Sequence, residues 1–304
     1  VPWERLGHLL VAGKTGAGKS TFLRLLAYQG LSAGMRLILA DRNGTTFPML
    51  ADHPALLAPI AHTPDEVVQA VELALGECDH RAARYRQLPG YPEKLVEYNA
   101  LAVREGVDPL PRLLVILDEF NATVMEAGGA QGPLATAAAD LGWRGREFGA
   151  TLIFAAQDFI KALVGRVRDQ LGAVVCFRVK NAAAARHVGC EDAVKIPERR
   201  PGLAVTDRWG PLQTYYLDKQ VLIDVGETRS SALPEDEQRL ARLAVEQDGK
   251  VTLGSLRDWG LGKNEASRLL EEWRLRGWVK KDPLRNNAHY VTEKLMELIG
   301  EKPD

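Results

Sequence analysis

Short uninterrupted apolar runs alternate with longer segments whose apolar residues recur at helical spacing. Such runs are typical of strands that are covered on both faces of a parallel sheet. They predict five strands, at 7–12, 36–40, 112–117, 150–156 and 174–179. The segments between them predict helices at 21–29, 63–86, 93–105 and 134–148. This alternation predicts an α/β fold with a mostly parallel sheet.

The pattern changes in the last third of the chain. Two short runs at 201–205 and 212–217 predict a hairpin at the edge of the sheet. A serine- and proline-containing stretch at 230–234 then has the composition of a linker. Beyond it the pattern predicts helices at 235–247, 253–259, 263–276 and 293–299, and a hairpin of 277–281 with 288–291 around Asn286 and Asn287. This is a winged-helix order, so we expect domains at 1–229 and 230–304.

Composition narrows the class of protein. The 304 residues are 46% hydrophobic, which supplies a substantial core, and the net charge is −1, so nucleic-acid contacts must come from local basic patches. Cys78, Cys176 and Cys190 lack metal-ligand spacing and predict no disulfide framework, as in a reducing, cytoplasmic compartment. No run reaches the roughly 18–20 apolar residues of a membrane span, and no signal peptide opens the chain. The start at Val1 is compatible with a fragment of a longer protein.

A glycine-rich loop between the first strand and the first long helix carries the clearest chemistry. Residues 13–20 read GKTGAGKS, which matches the P-loop pattern G-x-x-x-x-G-K-[ST]. Glycines let backbone N–H groups approach a polyphosphate, and the following helix adds its positive end. We therefore predict ATP binding, with Lys19 at the β- and γ-phosphates and Ser20 as a Mg²⁺ ligand. The predicted nucleotide-binding residues are Gly13, Thr15, Gly16, Ala17, Gly18, Lys19, Ser20 and Thr21.

Polar residues at the ends of three later strands complete the candidate site. Asp118 and Glu119 follow the apolar run 112–117, where Asp118 can hold Mg²⁺ and Glu119 can polarise the attacking water. Gln157 follows the run 150–156, where it can sense the γ-phosphate or orient water, or be a plain polar residue at a strand end. Asp41 ends the second strand, either near the nucleotide or a subunit boundary, or as an ordinary turn aspartate.

These motifs, in this order and spacing, resemble the FtsK/SpoIIIE family of DNA translocases, part of the FtsK-HerA superfamily. The likeness covers about residues 7–217. It rests on GHLLVAG at 7–13, ECDHRAARYR at 77–86, EYN at 97–99, LIFAAQ at 152–157, and FRVK at 177–180 followed by Arg186.

The resemblance implies a RecA-like motor core, a homohexameric ring and double-stranded DNA threaded through it. It makes Arg186 the candidate arginine finger, which would reach the nucleotide of a neighbouring subunit. Arg146 and Arg178 remain rivals, and an arginine in a surface ion pair is the alternative for each.

The C-terminal module also resembles the small DNA-reading domain of these translocases. Candidate DNA contacts are Lys263, Asn264, Ser267 and Arg268 on the recognition helix, and Lys280, Lys281 and Arg285 on the wing. In the motor, 90–97 and 127–133 are candidate pore loops, and Lys94 is a candidate phosphate contact. A protein-contact role is the alternative for the winged helix, since Glu265, Glu271, Glu272 and Asp282 dilute its positive charge.

Some features depart from the family pattern. Asp158 and Phe159 stand where a proline is usual after the glutamine, and Asn121–Ala122 replaces the usual alanine-aspartate. The family's membrane-spanning part and extra domain before the motor are not in this sequence. We therefore expect a plasmid, phage or mobile-element relative. A helicase or DNA-packaging ATPase with the same core, and a nucleotide-switched DNA-binding regulator, are the competing functions.

Overall fold

The chain forms two compact units. The computed structural model describes residues 2–157, 159, 170–223, 235–275, 277–282 and 288–300. One unit comprises Val1–Ala51 with Ile60–Leu222, and the other Asp52–Pro59 with Ile223–Asp304. The boundary that the sequence predicts between 229 and 230 lies outside the described residues.

A seven-stranded sheet forms the centre of the first unit. Its strands are β1 (His8–Ala12), β2 (Arg36–Ala40), β3 (Leu113–Leu117), β4 (Ala150–Ala156), β5 (Leu171–Phe177), β6 (Leu203–Thr206) and β7 (Gly210–Gln213). They lie in the order β2-β3-β4-β1-β5-β6-β7. The first five are parallel, and the β6–β7 hairpin is antiparallel at the edge. The predicted α/β fold with a mostly parallel sheet is confirmed.

Helices surround this sheet. They are α1 (Trp3–Leu6), α2 (Lys19–Ser32), α3 (Pro64–Gln87), α4 (Leu95–Arg104), α5 (Phe120–Glu126), α6 (Pro133–Arg144) and α7 (Ala182–His187), and residues 219–222 are also helical. Short 3₁₀ turns lie at Pro48–Leu50, Gly129–Gln131 and Glu191–Lys195. The capping signals before α3 act as the sequence predicts, because Thr63 and Glu66 form a reciprocal capping box around Pro64.

The edge hairpin is tighter than the sequence predicts. Its second strand begins at Gly210 rather than at residue 212. The Thr206 hydroxyl explains the difference: it accepts from Trp209 N at 2.7 Å and donates to Gly210 O at 3.0 Å. This side chain closes the turn two residues earlier than the apolar pattern indicates.

The basic end of α3 is divided between core and surface. Arg81 is buried against Glu77, with Nε 2.9 Å from Oε1, and its Nη1 donates to Phe148 O at 2.7 Å. One helical turn on, Tyr85 stacks on Tyr98 of α4 at 4.9 Å, while Arg86 is exposed. This basic segment therefore contributes to both the core and the surface.

Asn99 fixes the chain just before β3. Its amide donates to Leu110 O at 2.9 Å and accepts from Leu110 N at 2.8 Å, as a strand partner would. This clamp supplies a physical reason for the tyrosine-asparagine step at 98–99, because it sets the position from which β3 runs to its acidic end.

The second unit has the winged-helix arrangement. Its elements are α8 (Glu235–Glu246), β8 (Lys250–Thr252), α9 (Leu253–Asp258), α10 (Lys263–Leu275), β9 (Val279–Lys281), β10 (Ala288–Val291) and α11 (Glu293–Leu298). The strands form an antiparallel sheet in the order β8-β10-β9. Trp273 is fully buried in the core, and its indole N–H donates to Glu237 at 3.1 Å. Asn286 and Asn287, the predicted turn, lie outside the described residues.

Two expectations about the whole chain can be compared with the fold. All three cysteines are buried and have free thiols. No helix in the described ranges combines the length and the apolar character that crossing a bilayer requires.

His8 joins the first strand to its surroundings in the core. Its Nδ1 accepts from Leu152 N of β4 at 2.9 Å, so its Nε2–H donates to Gly142 O of α6, also at 2.9 Å. Burial lowers the pKa of His8 from 6.5 to about 4, an effect that the bond to Gly142 partly offsets. The imidazole is therefore neutral in the folded protein at pH 7.

We expect this histidine to make the fold acid-sensitive. As the pH falls from about 6.5 to about 4, the unfolded chain binds a proton at His8 that the native state excludes. His8 should remove up to about 3 kcal/mol of unfolding free energy over that interval. Urea unfolding of wild type and His8→Gln at pH 7.5, 6, 5 and 4.5 measures the effect. The variant should lose less stability on acidification, and parallel curves would contradict the assignment.

Candidate nucleotide-binding site

The site lies where parallel strands end together. Residue pairs Ala12↔Ala156 and Leu117↔Phe154 align the carboxyl ends of β1, β4 and β3. The residues that follow these ends are Gly13, Gln157 and Asp118. In open α/β sheets this edge is where ligands bind. The sheet order thus brings together three motifs that are far apart in the sequence.

The loop after β1 is built to surround an anion. The backbone N–H groups of residues 18–21 donate to no acceptor among the described residues, and they open the 14-residue helix α2. Gly18 has φ +109°, and a Cβ there would lie 2.7 Å from Gly202 N. A Cβ on Gly13 would lie 2.7 Å from the Phe177 Cβ. Only glycine fits these two positions, and the exposed N–H groups suit a polyphosphate.

Residues after β5 hold the back of this loop. Lys14 N donates to Arg178 O at 2.8 Å, and Gly202 N donates to Ala17 O at 2.9 Å. Lys14 also forms an ion pair with Glu198. The sequence analysis missed Gly202, whose φ of +83° favours glycine and where a Cβ would lie 2.7 Å from Gln213 Nε2. The only signal available in the sequence is the Pro201–Gly202 turn.

Lys19 is the centre of the site. Its ammonium lies 2.6 Å from Asp118 Oδ1 and 3.1 Å from Glu119 Oε1, and its side chain is only 6% exposed. A buried ammonium is stable where carboxylates and hydrogen bonds compensate its desolvation. The structure thus brings the predicted phosphate-binding lysine into direct contact with both predicted acids.

Glu119 is held from two further directions. The Gln157 amide donates to its Oε1 at 3.3 Å, and Thr15 Oγ1 donates to Gln157 Oε1 at 3.1 Å. The backbone of Glu119 is left-handed, with φ +52°, a strained conformation for a residue with a side chain. Such strain clusters at functional sites. Glu119, Gln157 and Thr15 therefore form one connected polar network with Lys19.

Thr46 is a residue of this site that the sequence analysis missed. Its hydroxyl donates to Asp118 Oδ2 at 2.9 Å, on the oxygen that Lys19 leaves open. Asp41 holds Thr46 in place, because Asp41 Oδ2 accepts from the backbone N–H of Thr46 and Phe47 at 2.7 and 2.8 Å. Asp41 is thus a turn aspartate, as one of its two readings expected, and it reaches the site only through Thr46.

The three candidate arginines have different surroundings. Arg178 is half-buried, and its Nη1 donates to Ile196 O at 3.0 Å, so it supports the loop behind the phosphates. Arg146 and Arg186 are exposed. Arg186 ends α7 and makes no ion pair with the described residues. It remains available for a second molecule.

The candidate DNA contacts are mostly exposed. In the first unit Lys94 precedes α4 and is exposed. In the second unit Arg268 is half-buried on α10, and Arg285 lies outside the described residues. The remaining candidates are exposed: Lys263, Asn264, Ser267, Lys280 and Lys281.

Comparison with known proteins identifies the family of this chain. The model of the FtsK/SpoIIIE family matches residues 1–160, more than half of the 304. The matched part contains the glycine-rich loop, the acidic pair and Gln157. The chain belongs to the FtsK/SpoIIIE family. The resemblance expected from the motifs is confirmed, and the first unit is a P-loop ATPase domain of this family.

Members of the FtsK/SpoIIIE family among curated proteins align with much of the chain. This chain is 33% identical over 184 residues to the DNA translocase FtsK of Helicobacter pylori. The aligned part covers 58% of this chain and 21% of that protein. The chain is 28% identical over 309 residues to the DNA translocase FtsK of Treponema pallidum, covering 90% of the chain and 38% of that protein. The chain therefore spans well under half the length of either relative.

Solved structures agree on the fold. The cytoplasmic domain of the type VII secretion ATPase EccC from Thermomonospora curvata has a TM-score of 0.64 at 22% identity, covering 75% of this chain and 28% of that one. The pCW3 conjugation coupling protein TcpA, solved as a monomer with ATPγS, also has a TM-score of 0.64, at 20% identity, covering 75% and 66%. At these identities the likeness establishes the ATPase fold alone.

We expect Thr46 to position Asp118 as a magnesium ligand. Thr46→Val keeps the shape but removes the hydroxyl, so Asp118 loses one of its two side-chain donors. Loss of such a supporting bond typically lowers metal affinity about 10- to 100-fold. The apparent Mg²⁺ affinity, measured from ATP turnover across a Mg²⁺ titration, should fall accordingly and be restored by saturating Mg²⁺. Thr46→Ser is the matched control and should stay near wild type. An unchanged Mg²⁺ titration in Thr46→Val would refute the role.

Proposed function

We propose that this chain is the motor subunit of a ring-shaped, ATP-driven translocase of double-stranded DNA. The observation that carries the proposal is the network of Lys19, Asp118, Glu119 and Gln157 in a chain of the FtsK/SpoIIIE family. A regulator that only senses nucleotide needs the loop and Lys19, but it has no need for a carboxylate and an amide aligned to activate water. The network therefore favours turnover over simple binding.

Each residue has a defined task in hydrolysis. The free N–H groups at 18–21 and the Lys19 ammonium bind the phosphates, which draw Lys19 away from the two carboxylates. Glu119, released from that ion pair, accepts a proton from the attacking water, and Gln157 orients this water molecule. Ser20 and Asp118 are the residues placed to hold Mg²⁺, which would neutralise charge on the phosphates when bound. Thr46 keeps Asp118 in position.

The positions of the arginines support the proposal of a ring. Among the described residues no arginine contacts Lys19, Asp118 or Glu119, and Arg178 is engaged by Ile196 O. The positive charge that stabilises the transition state then comes from another subunit. Arg186, exposed at the end of α7, is the residue we assign to that task. A head-to-tail contact of this kind closes into a ring, and a hexamer is the number we propose.

The second unit is proposed to contact DNA through its lysines. The acids that dilute its charge are occupied: Glu265 accepts from Gly262 N, Glu271 pairs with Arg274, and Glu272 and Asp282 are buried. Lys263, Lys280 and Lys281 have no ion-pair partner within the described ranges. These lysines keep their full charge for phosphates. Lys94 of the first unit is proposed as a contact inside the ring. The plasmid, phage or mobile-element setting stays a prediction.

The composite site can be tested by mixing two inactive variants. Lys19→Ala should abolish turnover, and Arg186→Ala should lower it on the order of 10³-fold while ATP still binds. In an equimolar mixture about a quarter of the interfaces pair an intact Lys19 with an intact Arg186. DNA-stimulated ATP hydrolysis should therefore reappear in the mixture, although neither variant has it alone.

The same assay separates the competing functions. Glu119→Gln is the control that should bind ATP without turnover and gain nothing from mixing with Lys19→Ala. A mixture that stays inactive would remove the shared site, and with it the ring, from the mechanism. An Arg186→Ala variant that is fully active alone would remove Arg186 from the site. A nucleotide-switched regulator would hydrolyse slowly and ignore DNA length. A helicase would separate strands of a forked duplex that a translocase leaves paired.

The proposed DNA contacts of the winged helix predict a salt-dependent loss. Combined Lys263→Ala, Lys280→Ala and Lys281→Ala changes should weaken DNA binding of the whole chain uniformly across sequences. Each phosphate contact removed should lower the slope of log affinity against log salt by about 1. Fluorescence anisotropy at salt concentrations from about 50 to about 200 mM measures the DNA affinity and its salt dependence. Arg242→Ala, on α8, removes one charge and is the control for each lysine changed singly. Equal effects of the single lysine variants and the control would assign the second unit to protein contacts.

A further inference from the structure

Two consecutive tyrosines directly after β7 are almost fully exposed. Tyr215 and Tyr216 are 82% and 80% accessible, and neither is within the core of the first unit. Large aromatic rings are usually buried for most of their surface, so two adjacent exposed rings mark a surface that binds something.

Hydrogen bonds connect this pair to the phosphate-binding loop. Thr214, the residue before Tyr215, donates to Gly202 O from both its backbone N and its hydroxyl, at 2.8 and 3.0 Å. Gly202 N in turn donates to Ala17 O at 2.9 Å. Thr214 is therefore connected to the phosphate-binding loop through Gly202, and Tyr215 is the next residue along the chain.

The polarity of the sheet decides which end of a nucleotide faces these tyrosines. Glu119 and Gln157 follow β3 and β4, on one side of β1, and mark the end where the terminal phosphate is cleaved. Strands β5, β6 and β7 lie on the other side of β1. A nucleotide that runs across the loop from the acids therefore places its base on the side of Gly202 and Thr214.

We propose that Tyr215 and Tyr216 form the platform on which the adenine base of ATP stacks. The inference rests on the proposed function, since it extends the same nucleotide site. Aromatic rings stack on any base face, so the platform adds affinity for the base with weak discrimination between purines. The two hydrogen bonds that Thr214 donates to Gly202 O hold the platform at a constant position relative to the phosphates.

The platform can be separated from the phosphate site by comparing two ligands. Isothermal calorimetry on the whole chain would measure ATPγS, which has a base, and inorganic tripolyphosphate, which has none. The double variant Tyr215→Ala with Tyr216→Ala should bind ATPγS about 10- to 100-fold more weakly, the range of one stacked base. Its affinity for tripolyphosphate should stay within about twofold of wild type, which also verifies folding.

Matched variants control for the loss of a tyrosine. Tyr290, 41% exposed on β10 of the second unit, is the control residue, and Tyr290→Ala should leave the binding of both ligands unaffected. The double variant with phenylalanine at 215 and 216 keeps the rings and should retain the affinity for ATPγS. The single alanine variants should show the loss in at least one of the two positions and so identify the stacking ring.

Fluorescence gives an independent readout. With tryptophan introduced by Tyr215→Trp or by Tyr216→Trp, ATPγS should quench the added signal and tripolyphosphate should not. Unchanged ATPγS affinity in the double alanine variant would overturn the platform. If that variant also failed to assemble into oligomers, the tyrosines would be assigned to a contact between subunits. A wild-type chain that binds neither ligand would instead defeat the proposed function itself.

Discussion

A buried ammonium between two carboxylates is the interaction on which the site depends. Lys19 is almost inaccessible, and its charge is acceptable there only because Asp118 and Glu119 lie within hydrogen-bonding distance. The lysine opens the helix after β1, and the acids follow β3, two strands away in the sheet. The parallel register that aligns these strand ends is therefore a condition for the ion pair, and the apolar strands supply that register.

The neighbouring residues restrain the same three side chains. Thr46 donates to the Asp118 oxygen that Lys19 does not use, and Gln157 donates to Glu119. Glu119 adopts a left-handed backbone that the surrounding contacts must maintain. These contacts fix the orientation of both carboxylates before any substrate binds. A site organised in advance needs little rearrangement during reaction, which is the main source of electrostatic catalysis.

The two units use positive charge in different ways. In the first unit the central cation, Lys19, is buried and paired with two carboxylates, and in the proposed mechanism phosphates compete for it. In the second unit the lysines of α10 and β9 are exposed, while the nearby acids are engaged in caps, ion pairs or the core. Exposed lysines suit contacts with a DNA backbone, whose affinity is dominated by counterion release. One fold thus separates nucleotide chemistry from the proposed DNA contact.

The amino-acid sequence alone determined the strands, the glycine-rich loop, the acidic pair and Gln157, because each is a local pattern of apolar periodicity or fixed spacing. The family followed from the order of those patterns. Only the tertiary structure decided that Thr46 supports Asp118, that Gly202 backs the loop, and that Thr214 is hydrogen-bonded to Gly202. These contacts join residues remote in the chain, and nothing in the local sequence around a threonine or a glycine reveals which distant group it will meet.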